Sequence, residues 1–178
     1  DEVVDKILKI KGVKNLSAQS NVAWIQNMKE CVKQMIRVNN ALKHLTDLKQ
    51  TSVQKDNKQH QKMLSEVWSK LVPNVVRSGD ITDQWQKIGF QGSDPHTDFR
   101  GMGLLGLVNL HYFSTNHTEL AKGVLKESRS GDAQEDIEDN KWYGFAISGI
   151  NFTSDLYTVA SRNHYLFRKR LYTCNSEE

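Results

Sequence analysis

Three properties of this sequence predict an all-α fold. Apolar residues recur at three- and four-residue spacings in several separate stretches. Only two prolines occur in 178 residues, and no two alternating runs are joined by a turn signal into a convincing hairpin. The predicted architecture is a single helical domain with an N-terminal helical extension, residues 1–56 forming the extension and 57–178 the domain.

The elements follow in order. Val3, Val4, Ile7 and Leu8 make a short amphipathic pattern that ends near Gly12. Val22, Ile25, Met28, Val32, Met35 and Ile36 predict a longer helix, and Leu42, Leu45 and Leu48 continue its stripe. Gln50 to Gln61 is polar and reads as a loop. Met63, Leu64, Val67, Trp68 and Leu71 predict a compact helix that Pro73 ends. Thr82 or Asp83 can cap a short helix carrying Trp85 and Ile88, stopped at Gly89. Gly103 to Phe113 is almost wholly apolar, as a central helix buried on most sides would be. Its glycines cost about 1 kcal/mol each relative to alanine, which close backbone approach must offset. Asn116 or Thr118 starts a helix through Leu120, Val124 and Leu125. Arg129 to Asn140 is acidic and poor in bulky residues, the composition of a surface loop, and Tyr143 to Ala160 is helical again. Trp24, Trp68 and Trp85 read as core anchors, and Trp142 as more exposed.

Composition excludes several functions. A net charge of +3 with 25% charged residues is too small and dispersed for nucleic acid to be the main partner. No run approaches the roughly 20 apolar residues that span a bilayer, and no signal peptide is evident, so a cytoplasmic protein is expected. Arg168, Lys169 and Arg170 would add at most a weak peripheral attraction to an anionic membrane. Cys31 and Cys174 match neither metal nor redox spacing and read as free thiols of a reducing compartment. Asn15, Asn116 and Asn151 begin sequons that read as chance matches, Asn151 lying in an apolar run.

The chemistry concentrates between Trp85 and Phe113. Arg100 sits in a polar turn, after Asp94, Pro95, His96, Thr97 and Asp98 and before Gly101, Gly103 and Gly106. Asp94 can cap the turn with Pro95 at its first position. Asp98 is close enough in sequence to pair with Arg100 or hold its backbone, and Gly101 leaves room for another protein's backbone. Two roles for Arg100 stay open at this level. It can bond Asp98 or carbonyls of its own fold, or it can meet negative charge on a partner. Gly101 to Gly106 spells G-x-G-x-x-G, but a polar loop precedes it where a dinucleotide site needs a strand, so these read as helix-packing glycines. The alternating Asp94, His96 and Asp98 lack the further ligands a metal needs, and no metal site is expected.

The block from Trp85 through Ile88-Gly89-Phe90-Gln91-Gly92, Asp94-Pro95, Thr97-Asp98-Phe99-Arg100-Gly101-Met102-Gly103 to Leu107 resembles the signature of the ELMO domain, in particular its ELMO-domain-containing (ELMOD) branch. Gly144 to Thr153 resembles a later helix of that branch. The resemblance implies a helical GTPase-activating protein for Arf and Arf-like small GTPases. Arg100 falls on the branch's proposed catalytic arginine. Gln91, Asp94, Thr97, Asp98 and Gly101 would form the orienting and docking loop, with Gln91 also able to bond the loop backbone. No cofactor is expected, since GTP and Mg²⁺ would belong to the partner, and the site of work would be the cytoplasm and peripherally its endomembranes. The alternative is a non-catalytic ELMO-type adaptor that binds a small GTPase or a Dock-type exchange-factor complex. Family members continue with further helices, so the domain is expected to be incomplete at its C-terminus.

Overall fold

The computed structural model describes residues 2–12, 19–129 and 143–162. The fold is all-α: among the described residues there are α-helices, two 3₁₀ helices and no strand. The helices are α1 (Glu2–Ile10), α2 (Gln19–Gln50), α3 (Lys58–Leu71), α4 (Gly103–Asn116), α5 (Thr118–Ser128) and α6 (Phe145–Ser161). The 3₁₀ helices, Asp83–Ile88 and Pro95–Phe99, lie between α3 and α4. Packing divides the chain into two compact units, residues 1–44 with 159–178 and residues 45–158.

In the first unit α1 buries Val4 and Leu8, one turn apart, and α2 buries Val38. Trp24 departs from the expected core role, being 46% exposed, and Met35 and Ile36 are also open to solvent. Helical periodicity puts these residues on a stripe but does not provide a surface to cover it. Cys31 is an exposed free thiol. Cys174, Trp142, Asn15, the basic cluster at Arg168–Arg170 and most of the acidic stretch after Arg129 lie outside the described residues.

The second unit holds the main core. Asn57 caps α3, its side chain accepting from the backbone N–H of Gln59 (2.9 Å) and His60 (3.2 Å). The helix therefore begins at Lys58 and the preceding loop is shorter than the polar composition of Gln50–Gln61 predicts. α3 buries Leu64, Val67, Trp68 and Leu71 against α4, and the His111 ring meets Glu66 across that contact at 2.6 Å. Hydrogen bonding from His111 outweighs desolvation and holds the Glu66 carboxyl below its ordinary value.

From α3 an edge-to-face aromatic series runs through the segment that lacks long helices. Trp68 meets Trp85 at 5.6 Å, Trp85 meets Phe90 at 5.4 Å, and Phe90 meets Phe99 at 5.8 Å. Each indole N–H is satisfied, Trp68 by the Val75 carbonyl (2.8 Å) and Trp85 by that of Asp80 (2.9 Å). The Arg77 guanidinium covers the Trp85 ring at 4.3 Å and pairs with Asp80. Thr82 caps the first 3₁₀ helix and Gly89 ends it, as their positions predict.

Two glycines set the close approaches. Gly89 has φ 84°, and a Cβ there would strike the backbone of Gly144 and Phe145 at the start of α6. Its carbonyl also accepts from the Ile147 N–H at 3.1 Å. Gly103, φ 52°, lies against the carbonyls of Lys49 and Thr51. Thr51 O then accepts the otherwise orphaned Leu104 N–H (2.8 Å), so the end of α2 caps α4 in place of a side chain. Gly106 fits between Met102, Phe99 and Ile150. Asn151, contrary to the apolar character of its run, is exposed on α6, while its neighbour Thr153 is buried and bonds the Gly149 carbonyl.

Gly89→Ala combines left-handed backbone strain with a backbone clash. It should destabilise the chain by about 2–5 kcal/mol, read as a lower urea midpoint at unchanged slope.

Candidate functional site

The turn that carries Arg100 is pinned on both sides by buried anchors. Phe99 is 1% exposed and Met102 2%, whereas Arg100 and Gly101 between them are exposed. The Met102 N–H closes the turn onto the Phe99 carbonyl at 3.2 Å, with Arg100 in right-handed helical conformation (φ −55°, ψ −36°). A residue held this way has a fixed backbone and an outward side chain.

The flanking polar groups are spent on the loop itself. Asp94 caps the Pro95–Phe99 helix, accepting from the His96 N–H at 3.2 Å and meeting His96 Nδ1 at 3.0 Å through the same oxygen. Its other oxygen pairs with Lys55 at 2.5 Å. Partial burial works to raise the Asp94 carboxyl, but hydrogen bonds from Lys55 and His96 outweigh it and hold the group below its ordinary value. Thr97 donates its hydroxyl to the Asp94 carbonyl (2.9 Å), with Asp98 Oδ1 at 3.3 Å as a second acceptor.

Asp98 does not pair with Arg100. Its Oδ2 accepts the Gln91 N–H at 2.8 Å, which ties the Phe90–Gln91 segment of the loop to the turn. The Gln91 side chain is exposed, and it is the backbone of Gln91, not its amide, that bonds the loop. Arg100 has no hydrogen bond or ion pair to the described residues, so the self-bonding role left open by the sequence is not the one observed. Gly101 differs from Gly103 and Gly106: a Cβ there would meet nothing within 4 Å and its φ is not positive. The fold itself does not require glycine at that position.

Structure thus brings Gln91, Asp94, Thr97, Asp98, Arg100 and Gly101 into one loop and adds two groups that sequence reading missed. Lys55 lay in a stretch read only as polar loop, and its pairing with Asp94 spans 39 residues (94 − 55). The end of α2 contributes Lys49, Gln50 and Ser52 to a cleft of about 100 Å³ beside Arg100. A larger cavity of about 470 Å³, lined by Asp83, Lys87, Leu125 and Tyr143 among others, contains no residue of the Asp94–Gly101 turn, so size does not pick out this site. Among the described residues no group of three or more His, Cys, Asp or Glu side chains is placed to hold a metal, and no helix is long and apolar enough to cross a membrane.

Residues 43–175 match the model of the ELMO/CED-12 family. The chain is 36% identical over 159 residues to ELMO domain-containing protein 2 of Homo sapiens, covering 89% of this chain and 50% of that protein. It is 35% identical over 170 residues to ELMO domain-containing protein 1 of Bos taurus (89% and 51%), and 34% over 164 residues to ELMO domain-containing protein B of Dictyostelium discoideum (92% and 55%). The chain spans about half the length of the curated relatives it matches. No solved structure matches it.

Because the folded Asp94 lies below its ordinary value of 3.8, its contribution is complete above that pH and disappears as pH falls through the lower folded value. Asp94→Asn keeps a cap but loses the Lys55 pair. It should cost about 1 kcal/mol near neutrality, and the difference should shrink as pH falls below the ordinary carboxylate value, which urea unfolding of both chains across that range would measure.

Proposed function

Because the chain belongs to the ELMO/CED-12 family, we propose that it stimulates GTP hydrolysis by an Arf or Arf-like small GTPase, supplying Arg100 in trans. The observation that carries this reading is an exposed guanidinium without a partner among the described residues, mounted on a turn whose two neighbours are buried. As the γ-phosphoryl group departs, charge grows on the phosphate oxygens, and an inserted arginine stabilises it. Such residues are worth about 10³ to 10⁵ in rate, or roughly 4–7 kcal/mol of barrier. Arginine suits the task because its planar fork bridges two oxygens, which lysine's point charge does not.

The remaining loop residues act as positioning groups. Asp98 orients Arg100 indirectly, by locking the Gln91 backbone to the turn. Among the described residues it leaves the arginine without a counter-ion that docking would have to displace. Asp94 and Thr97 stiffen the 3₁₀ helix that precedes it, which lowers the ordering cost of association. Gly101 leaves the space beside Arg100 empty for the GTPase backbone. GTP and Mg²⁺ come with the GTPase, and Arf-type partners would draw the protein to endomembrane surfaces.

Single-turnover hydrolysis by a panel of GTP-loaded Arf-family proteins, with and without the chain, tests the reading. Acceleration of at least one member is expected; binding without acceleration of any would assign the chain to the adaptor class. Arg100→Lys should lower the stimulated rate by about 10³-fold or more, with unfolding and GTPase binding nearly unchanged. Gly101→Ala should shift stability by less than about 0.5 kcal/mol, yet weaken GTPase binding in a pull-down titration, because the added methyl occupies the partner's side of the turn.

A further inference from the structure

The loop that carries Arg100 offers a partner no large apolar side chain. Its exposed residues are Gln91, Thr97, Arg100 and Gly101, while Pro95 and Phe99 are buried. Interfaces between separately folded proteins are more than half non-polar by area and gather their apolar groups at the centre. One of standard size takes about 20–30 residues a side, several times the number this loop supplies. The docking surface therefore extends beyond Gln91–Gly101, onto segments that the fold fastens to it.

Ile81 stands on one such segment. The Thr82 N–H donates to the Ser93 carbonyl at 2.9 Å, which stitches the residue after Ile81 to the loop. The Gln91 N–H bond to Asp98 carries that connection on to the Arg100 turn. On the other side, the Asp80 carbonyl accepts the Trp85 indole N–H and the Asp80 carboxylate pairs with Arg77. Ile81 is thus held at both neighbours, as Arg100 is, yet it is 59% exposed. A lone isoleucine on a surface is ordinary. One whose flanking backbone is fixed, and whose branched side chain has few rotamers, loses little freedom when a partner covers it. Among the described residues, Ile81 is the exposed large apolar residue with a neighbour hydrogen-bonded to the loop. Gly92, next to Ser93, has open space where a Cβ would stand and no positive φ, so a partner can approach the loop backbone closely there.

We propose that Ile81 is an apolar anchor of the docking surface, seated in an apolar depression of the small GTPase beside its nucleotide site. Ile81 then governs how tightly the complex forms, and Arg100 how fast hydrolysis runs. This role rests on the docking function proposed for the Arg100 turn and adds a binding residue outside it. A contact that stays the same from the docked state to the transition state lowers the concentration needed for half-maximal stimulation without altering the saturated rate. An isoleucine side chain makes such a contact, because it carries no charge that could answer the departing γ-phosphoryl group. Arg100 meets charge that develops only at that moment, so its loss falls on the rate.

The concentration dependence of stimulation tests it. A GTP-loaded Arf-family protein that the parent chain accelerates is assayed in single turnover against rising concentrations of the parent, Ile81→Ser, Ile81→Val and Val76→Ser. Urea midpoints confirm that each variant is folded. Ile81→Ser should raise the half-maximal concentration about tenfold at an unchanged saturating rate, and Ile81→Val, one methylene smaller, should stay within about fourfold of the parent. Val76 is the control: it is 92% exposed on the same stretch, but its neighbours Val75 and Arg77 bond Trp68, Ser65 and Asp80 instead of the loop. Val76→Ser should therefore match the parent. An Ile81→Ser curve that overlays the parent overturns the proposal, and so does an equal loss in Val76→Ser. A lower saturating rate at an unchanged half-maximal concentration also overturns it, because Ile81 would then serve the mounting of Arg100 and not the contact. If the parent chain neither binds nor accelerates any Arf-family protein, the docking role of the Arg100 turn falls and the anchor with it. A negative result confined to the Ile81 variants removes the anchor alone.

Discussion

The edge-to-face contact series from Trp68 through Trp85 and Phe90 to Phe99 is the constraint on which the site depends. Residues 72–102 contain only two short 3₁₀ helices, too little backbone hydrogen bonding to define a conformation alone. The aromatic series supplies the missing order: each ring contributes large buried area, and each edge-to-face pair fixes angle as well as distance. Because its last ring, Phe99, immediately precedes Arg100, the position of the guanidinium is inherited from the hydrophobic core. A surface loop of ordinary composition has no such anchor.

Polar groups complete what the rings begin, and they do so at the expense of one another. Asp94, Thr97 and Asp98 all find partners within the loop or at Lys55. That leaves Arg100 as the charged group of the turn with no partner among the described residues. An Asp98–Arg100 pair would have satisfied both residues locally. Its replacement by an Asp98 bond to the Gln91 backbone moves rigidity into the main chain and keeps the cation available, an arrangement in which preorganisation and readiness to bind do not compete.

Most of the helical frame was legible in the sequence because its signals are local. The stop at Pro73, the cap at Thr82, the left-handed Gly89 and the Asp94-Pro95 start each follow from the conformational demands of one or two residues. The pairing of Lys55 with Asp94, the burial of one ring nitrogen of His96 and the docking of Gly103 on Thr51 were not legible, since each joins segments brought together only by the folded core. The exposed Trp24 and Asn151 show the same limit from the other side. Periodicity identifies a face, but what covers that face is a tertiary fact. Gly101 is instructive within the G-x-G-x-x-G run: two of its three glycines answer to packing, and the first, which looks the same in sequence, answers to nothing among the described residues.

The bond between Thr51 and Leu104 joins the last turn of α2 to the first turn of α4 with no slack, since Gly103 admits not even a methyl group at that junction. Arg100 stands three residues before Gly103. A sideways pull on the carbonyl end of α2 is therefore transmitted, like motion through a short crank, to the place where the guanidinium is mounted. Whatever grips residues 49–52 holds a handle on the aim of Arg100.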